Sequence, residues 1–306
     1  MTLFLSACQH PATAYITNQG DHTVSVIDIA KRNVIATIQV GKAPVGVAIS
    51  KALQRVYISN VESQSISVID IQRNQVIETI AIKGSPVGIA IAPDSKTLYV
   101  ADWYSDRIIA IDTAHTNTQR EVIVSKAPAG LLVSPDSKTL YVAARDSNQI
   151  VAINTADLTI KQRIDVGVHP FGLALSDDGS TLYSVNVYDN TVSVVNILAS
   201  NAPANTIKVG EHPYCAVVSP DNNTLFVSNT QDDTVSVIDL RTNKPITTIE
   251  VGMTPEGMSY DIHNHQLLVA NWGSNEVTVI DAKTHKVVNS IKTGDKSRAF
   301  GQFILQ

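Results

Sequence analysis

The stretch Val56–Ile91 reads VYISNVESQSISVIDIQRNQVIETIAIKGSPVGIAI, and its pattern recurs along the chain. Rows aligned on Tyr57 begin at seven residues spaced by 42 or 43 positions: Tyr15, Tyr57, Tyr99, Tyr141, Tyr183, Phe226 and Leu268. Each row repeats a YISN-like opening and a VSVID-like segment, and six rows are followed by a segment that starts at a proline. A fixed period of about 40 to 50 residues is typical of propellers and solenoids.

Each row contains four short segments rich in Val, Ile and Tyr, a composition that favours β-strands. In the quoted row these segments are Val56–Ser59, Ile66–Ile69, Val76–Ile80 and Gly88–Ile91. Connectors such as APDSKT and SPDSKT carry residues suited to tight turns, and no segment keeps a helical period. The sequence therefore predicts an all-β fold, a seven-bladed β-propeller with four-stranded antiparallel blades in one domain spanning 14–306.

The two ends of the chain predict how the ring closes. The first row lacks the Pro-x-Gly-x-Ala segment, and the last row is followed by a counterpart, Phe300–Leu305. We expect this C-terminal strand to complete the first blade as its innermost strand, which removes two exposed sheet edges.

Composition excludes several classes of protein. The 306 residues include 28 acidic and 23 basic ones, giving a net charge of −5 with no basic run, so nucleic acid is not an expected partner. Apolar stretches fall short of the roughly 20 residues that span a bilayer. The two cysteines, Cys8 and Cys215, have no CxxC or CxxCH partner for thiolate zinc or covalent haem. We expect no metal or cofactor and a monomeric protein.

The openings YITN, YISN, FVSN and LVAN, followed by VSVID and then Pro-x-Gly-x-Ala, resemble the YVTN-repeat β-propeller family. The resemblance runs from about Tyr15 to Leu305. It implies surface-layer, cell-surface or periplasmic proteins, and related propellers include lactonases, lyases and haem d1-binding domains. Fold alone does not choose among these functions.

The N-terminal segment 1–13 begins MTLFLSAC, in which Leu5–Cys8 resembles a bacterial lipobox. The apolar run is shorter than an ordinary signal sequence and lacks a preceding basic residue, so we interpret it as a truncated lipoprotein signal. This predicts lipidation of Cys8, a tether to a membrane surface, and a location in the bacterial periplasm or at the cell surface.

Repeat positions that differ between rows mark the candidate ligand-binding site. The residues before and after the motif proline are small or aliphatic in three rows and then become polar or aromatic. We place Arg298 and Phe300 at the matching positions of the closing strand. The residues singled out are His169 with Phe171, His212 with Tyr214, Glu256, and Arg298 with Phe300.

The loop that follows each YISN-like opening lies on the same predicted face, around the mouth of the central channel. Both tryptophans of the chain occupy the same repeat position, directly after the Asn or Asp of the opening. The large residues of these loops complete the predicted site: Trp103, Tyr104, Arg145, Tyr188 and Trp272.

The sequence favours a non-catalytic binding or scaffold protein of the envelope, because no GxSxG, P-loop, HExxH or EF-hand motif is present. Its partner would be an envelope protein, a peptide or a small ligand held at the upper face. One alternative is a lactonase- or lyase-like enzyme using His and Glu at the channel mouth. The other is an accessory protein of a haem or quinoprotein redox system.

Overall fold

The computed structural model describes residues 12–199 and 205–305, and these form a seven-bladed β-propeller of four-stranded antiparallel blades. The predicted N-terminal lipidation site, Cys8, lies outside the described residues. Among the described residues, no helix is long and apolar enough to cross a membrane.

The first four blades use strands β1 to β15. Blade 1 contains β1 (Thr13–Asn18), β2 (Thr23–Asp28) and β3 (Asn33–Gln39); blade 2 contains β4 (Pro44–Ser50), β5 (Arg55–Asn60), β6 (Ser65–Asp70) and β7 (Gln75–Ala81); blade 3 contains β8 (Pro86–Ile91), β9 (Thr97–Asp102), β10 (Arg107–Asp112) and β11 (Gln119–Ile123); blade 4 contains β12 (Pro128–Val133), β13 (Thr139–Ala144), β14 (Gln149–Asn154) and β15 (Ile160–Asp165).

The remaining blades and the C-terminal strands follow in chain order. Blade 5 contains β16 (Pro170–Leu175), β17 (Thr181–Asn186), β18 (Thr191–Asn196) and β19 (Asn205–Lys208); blade 6 contains β20 (Pro213–Val218), β21 (Thr224–Asn229), β22 (Thr234–Asp239) and β23 (Lys244–Glu250); blade 7 contains β24 (Pro255–Asp261), β25 (Gln266–Asn271), β26 (Glu276–Asp281) and β27 (Lys286–Lys292); the C-terminal strands are β28 (Phe300–Gly301) and β29 (Ile304–Leu305). Two single 3-10 turns, Trp103–Ser105 and Arg145–Ser147, lie in the loops after β9 and β13.

The hydrophobic core lies between neighbouring blades. The row-opening aromatics are buried there; Tyr15, Tyr99 and Phe226 are each 1% exposed. Most outermost strands are largely exposed and turn one buried aliphatic residue inward, such as Ile38 in β3. Because the sheets pack against one another on both faces, few positions remain for charged side chains, which make up only 17% of the chain.

The ring closes as predicted at its very end. Strand β29 pairs antiparallel with β1, placing Leu305 opposite Thr13 as the innermost strand of blade 1. The preceding β28 differs from the prediction, because it pairs in parallel with β4 of blade 2, with Phe300 opposite Gly46. The closing segment therefore pairs with strands of two blades, β1 of blade 1 and β4 of blade 2.

Turn aspartates stabilise the connectors in the way the sequence suggests. The carboxylate of Asp70 accepts the backbone N–H groups of Gln72 and Arg73, both at 3.0 Å. At the same end of the blades, the Ser134 hydroxyl donates to Asp136 at 2.6 Å. This hydrogen bond makes the largest contribution to the lowered pKa of the Asp136 carboxyl. We call the face that carries the Ser134–Asp136 turn and its equivalents the lower face, and the opposite one the upper face.

Candidate functional site

A bulge in the innermost strands of blades 2 to 7 aims one side chain at the upper mouth of the channel. In six blades the pairing register shifts between the motif proline and the third residue after it, as between Pro44 and Val47. A β-bulge leaves the extra residue unpaired and re-aims its side chain. The residue directly after the proline is therefore presented to the mouth.

The structure shifts the alignment of the closing strand by one residue. The backbone N–H of Ala299 donates to the Thr17 hydroxyl at 2.9 Å, as that of Gly46 does to Ser59 at 2.8 Å. Asn18 bridges Ser297 just as Asn60 pairs with Pro44. Arg298 thus occupies the position after the proline, not the one before it, and Phe300 falls beyond that position. Without a proline in the segment, the sequence alone could not fix this register.

Nine of the predicted residues meet in one cavity of about 410 Å³ at the upper mouth, which we call the upper cup. Most of its lining comes from two sets of repeat positions, the residues after the proline and those of the loop that follows the second strand; His212 and Thr254 are added from the position before the proline. The predicted residues that line it are Trp103, Tyr104, Arg145, Phe171, Tyr188, His212, Tyr214, Glu256 and Arg298.

A buried ion pair forms the floor of the upper cup. The Arg298 Nε donates to Glu256 Oε2 at 2.5 Å, and its Nη2 donates to the Tyr214 hydroxyl at 2.8 Å. The side chains of Arg298 and Glu256 are only 17% and 10% exposed. Two charges buried to this extent lose their hydration, so each needs the electrostatic attraction of the other to remain ionised.

Burial sets the protonation of this floor. It raises the pKa of Glu256, and the adjacent Arg298 offsets part of the rise. Burial also raises the pKa of Tyr214, so its phenol stays protonated. The floor therefore presents a carboxylate, a guanidinium and a phenol whose combined charge near neutral pH is zero.

Aromatic side chains and one cation form a wall of the cup. The guanidinium of Arg145 lies 5.3 Å from the centroid of the Trp103 ring and 5.9 Å from that of Tyr188. Arg145 also donates to Asp146 at 2.7 Å. The 3-10 turns that begin at Trp103 and Arg145 place these side chains beside the mouth. A cation between two ring faces is suited to stacking with planar or anionic groups.

The two histidines flank Tyr188 on the rim. The His169 ring stacks on Tyr188 with centroids 4.0 Å apart, and the centroid of the His212 ring lies 5.3 Å from that of Tyr188. Their backbones are held in left-handed conformations by Asn148 and Asn190, whose side chains accept the histidine N–H groups at 3.0 Å. Burial and then Arg145 lower the pKa of His169.

Three predicted residues lie outside the upper cup. His169 packs behind Tyr188, and its Nδ1 finds no hydrogen-bond partner among the described residues. Phe300 packs beneath Phe171, with centroids 4.9 Å apart. Trp272 donates its Nε1 hydrogen to Gln19 at 3.1 Å.

Sequence reasoning missed the plainer lining residues. Gln19, Val61, Val187 and Thr230 line the upper cup from the repeat position that Trp103 occupies. Only the large residues at that repeat position were selected from the sequence. The alignment of the rows would have identified these smaller lining residues as well. In the part of the chain that the structure describes, no group of three or more His, Cys, Asp or Glu side chains could hold a metal ion.

Solved structures with the same architecture include a hydrazine synthase from Kuenenia stuttgartiensis. It is 22% identical with a TM-score of 0.81, and the match covers 88% of this chain and 92% of that one. A functionally unknown protein from Desulfotomaculum acetoxidans DSM 771 is 16% identical, with a TM-score of 0.79 and coverage of 94% and 99%. At these identities the likeness shows the fold alone.

A third solved structure is the dihydro-heme d1 dehydrogenase NirN in complex with DHE. It is 16% identical with a TM-score of 0.70, over 92% of this chain and 63% of that one. No curated protein sequence matches the chain. A family model described as YNCE-like beta-propeller matches residues 48–135 and 119–305, which is most of the chain. The chain therefore belongs to the YNCE-like beta-propeller family.

Proposed function

We propose that this propeller is a non-catalytic binding protein whose upper cup captures a segment of a protein partner. The observation that carries the proposal is the convergence of aromatic and charged side chains from blades 3 to 7 on one cavity of about 410 Å³. Such a volume suits the side chains of a short segment. The remaining arc of the mouth is lined by aliphatic residues such as Val45 and Val87.

Exposed apolar side chains around the upper cup support a protein partner rather than a free metabolite. Tyr104 is 81% exposed, and Tyr188 and Met253 are each 54% exposed. The Gly273 N–H donates to the Met253 carbonyl, which places Met253 in the same upper loops. Aromatic anchors surrounding a desolvated pocket are the pattern that dominates binding energy at protein interfaces.

A peptide library displayed on phage tests this function directly. We expect the wild-type protein to select peptides that bind in 1:1 stoichiometry. Tyr188→Ala should weaken them at least tenfold, since an anchor residue contributes about 2 kcal/mol or more. Ile246→Ala removes a similarly exposed apolar side chain (52%) from an outermost strand and should leave affinity unchanged. Peptides that bind Tyr188→Ala as tightly as the wild type would contradict the proposal.

An enzyme with acid–base chemistry is the second candidate, and Glu256 is the observation that favours it. Its carboxyl lines the cup and has a pKa raised by burial, as general acids often do. A screen of lactones and cyclic depsipeptides, with and without added divalent metal, tests it. Turnover by the wild type that Glu256→Gln abolishes would replace the binding proposal.

The third candidate is an accessory protein of a haem or quinoprotein system, in which the cup faces the redox partner. The solved structure of NirN in complex with DHE belongs to a protein of the same fold, and His212 lines the cup here. An absorbance titration with haem tests direct binding. A Soret shift in the wild type that disappears in His212→Ala would favour this candidate.

The envelope location belongs to the same proposal. The described chain begins at Ala12, whose carbonyl accepts the Ile29 N–H at the lower face. A lipid on Cys8 would therefore turn the lower face toward the membrane and the upper cup away from it. Radiolabelled fatty acid should be incorporated by the wild type and not by Cys8→Ser; equal labelling of both would refute the anchor. The YVTN-repeat resemblance and its surface-layer setting remain predictions.

A further inference from the structure

Three aromatic rings that contact one another lie between two cavities of the central channel. Phe171 and Tyr214 lie with ring centroids 4.2 Å apart, and Phe300 lies 4.9 Å from Phe171 and 5.7 Å from Tyr214. Phe171 and Tyr214 line the upper cup, whereas Phe300 lines a separate cavity beneath it. We call these three residues the ring layer.

The backbone narrows the channel next to the ring layer. Neighbouring innermost strands approach so closely that a Cβ on Gly130 would lie 2.1 Å from the Phe171 carbonyl oxygen, and one on Gly172 would lie 2.5 Å from that of Tyr214. Only glycine permits this approach. We call this narrowing of the channel at Gly130 and Gly172 the backbone waist. The backbone waist and the ring layer together separate the two cavities.

The cavity beneath the ring layer, which we call the lower compartment, has a volume of about 430 Å³. Pro93, Pro220 and Ile262 of the lower turns line it, so it opens on the lower face. Its wall is built by aliphatic and thioether side chains of the innermost strands of blades 2 to 7, represented by Ile49, Ile91, Leu131, Leu173, Val217 and Met258.

The lower compartment carries no charged side chain among the described residues that line it. The polar side chains on its wall are those of Cys215, Ser259, Tyr260 and Gln302. Burial raises the pKa of the Cys215 thiol to about 11, so this group is also neutral near pH 7. A charged ligand would lose its hydration here without gaining a counter-charge.

We propose that the lower compartment binds a small uncharged molecule with a hydrocarbon body. The volume falls within the range of about 300–1,000 Å³ found for small-molecule sites. Half-buried aliphatic side chains such as Leu131 and Leu173 gain most from covering by an apolar surface. The inference is independent of the proposed function, because the ring layer separates this site from the upper cup.

The probe for this site is N-phenyl-1-naphthylamine, an uncharged dye that fluoresces in apolar surroundings. Titration of the wild-type protein should give a saturable rise in fluorescence with one site per chain. At pH 8, 1-decanol should displace the dye at concentrations at least tenfold lower than decanoate does, because only the latter is charged. Equal potency of the two competitors, or no saturable signal, would overturn the proposal.

Two substitutions locate the dye. Leu131→Lys places a charge in the lower compartment, and Ala90→Phe fills part of it without a charge; each should weaken dye binding at least tenfold. Val87→Lys puts the same charge on the upper end of the same strand as Ala90, within the upper cup, and should leave dye binding unchanged. Urea denaturation of each variant confirms that it is folded.

The pattern across the variants decides the outcome. Loss of binding in Val87→Lys alone would assign the dye to the upper cup and refute the lower site. Wild-type affinity in both folded Leu131→Lys and folded Ala90→Phe would also refute it. Should Leu131→Lys fail to fold, Ala90→Phe carries the test by itself, since it stays apolar.

Discussion

Glu256 and Arg298 place opposite charges at the same repeat position on neighbouring segments of the ring, where blades 2 and 3 carry Val45 and Val87. A buried ion pair often contributes little net stability over apolar residues of similar size, yet breaking it is costly. Its value in this propeller is therefore chemical, since it gives the cup floor both an acceptor and a donor. At the same position, blades 2 to 4 carry the aliphatic residues Val45, Val87 and Ala129, and blades 5 and 6 carry the aromatic residues Phe171 and Tyr214.

Removing one charge from this pair should cost more than removing both. Arg298→Met leaves a buried carboxylate and should lower the free energy of unfolding by about 3–5 kcal/mol. The double variant Glu256→Val/Arg298→Val copies blades 2 and 3 and should recover most of that loss. Urea denaturation at pH 7 measures both, and equal loss in the single and double variants would contradict the coupling.

The pH dependence of Arg298→Met follows from the same burial. The folded pKa of Glu256 is raised above its unfolded value of about 4.3, and more so without Arg298. Stability linked to this carboxyl is present below the unfolded pKa and is lost as pH rises through the folded one. We expect the variant to lose stability relative to the wild type as the pH rises from about 4.3 towards neutrality. A flat difference across that range would be evidence against a buried carboxylate.

Within the strands, a repeated polar pair shows how one blade compensates for an altered residue. Asn18 donates to Thr23 at 2.8 Å, and Asn186 to Thr191 at 2.9 Å, at the upper end of the second and third strands. In blade 3 the positions are Asp102 and Arg107, joined at 3.0 Å with Asp102 fully buried. The charged pair replaces the amide–hydroxyl pair.

This replacement predicts a strong double-mutant coupling. Arg107→Thr leaves the Asp102 carboxylate buried and should destabilise the protein by about 3 kcal/mol. Asp102→Asn/Arg107→Thr restores the pair of blades 1 and 5 and should return close to wild-type stability, a coupling of about 1–3 kcal/mol. The pair of Lys292 and Glu276, in which the lysine side chain is 77% exposed, serves as control, because breaking it with Lys292→Thr should cost under about 1 kcal/mol. Additive losses at Asp102 and Arg107 would rule the compensation out.

The glycines of the innermost strands should tolerate no side chain. A Cβ on Gly88 would lie 1.8 Å from the Ala129 carbonyl oxygen, so Gly88→Ala should lower the free energy of unfolding by about 1–3 kcal/mol or more. Cys215 holds the same repeat position in blade 6 with a side chain in place, and Cys215→Ala should cost less. Thermal unfolding compares the two variants. A larger loss of stability in Cys215→Ala than in Gly88→Ala would argue against a backbone waist.

For the whole molecule, the ring depends on the segment that follows blade 7. Phe303 is fully buried and Ile304 is 2% exposed, and the Phe303 carbonyl accepts the Tyr15 N–H at 2.9 Å. Deleting residues 299–306 removes both side chains and the stabilisation from their burial, about 1.5–3 kcal/mol each. At about 2–4 °C per kcal/mol, the Tm should fall by about 10 °C or more. Gln302→Ala, an exposed control in the same segment, should leave Tm unchanged, and an unaltered Tm in the truncated protein would disprove closure by this segment.

The period of the sequence predicted the architecture, because every blade repeats the same turn and strand chemistry. Nine of the twelve candidate side chains meet in the upper cup because repeat position determines which end of a strand they occupy. Contacts between rows were not predictable in the same way. The stack of His169 on Tyr188 depends on side-chain conformations in different loops, and the register of Arg298 depends on a strand that lacks the motif proline. The lower compartment was missed because its lining is the ordinary repeat sequence.

The ring layer turns what could be a pore into two blind pockets with separate entrances. A molecule in either pocket leaves only by the mouth through which it entered, so the dissociation rate from each is set by the groups at one face. Molecules that enter from the two faces do not meet within the channel. The two pockets also differ in polarity, because aromatic and charged side chains line the upper cup, whereas uncharged and mostly aliphatic ones line the lower compartment. Exchange between the sides would require Phe171, Tyr214 and Phe300 to move together.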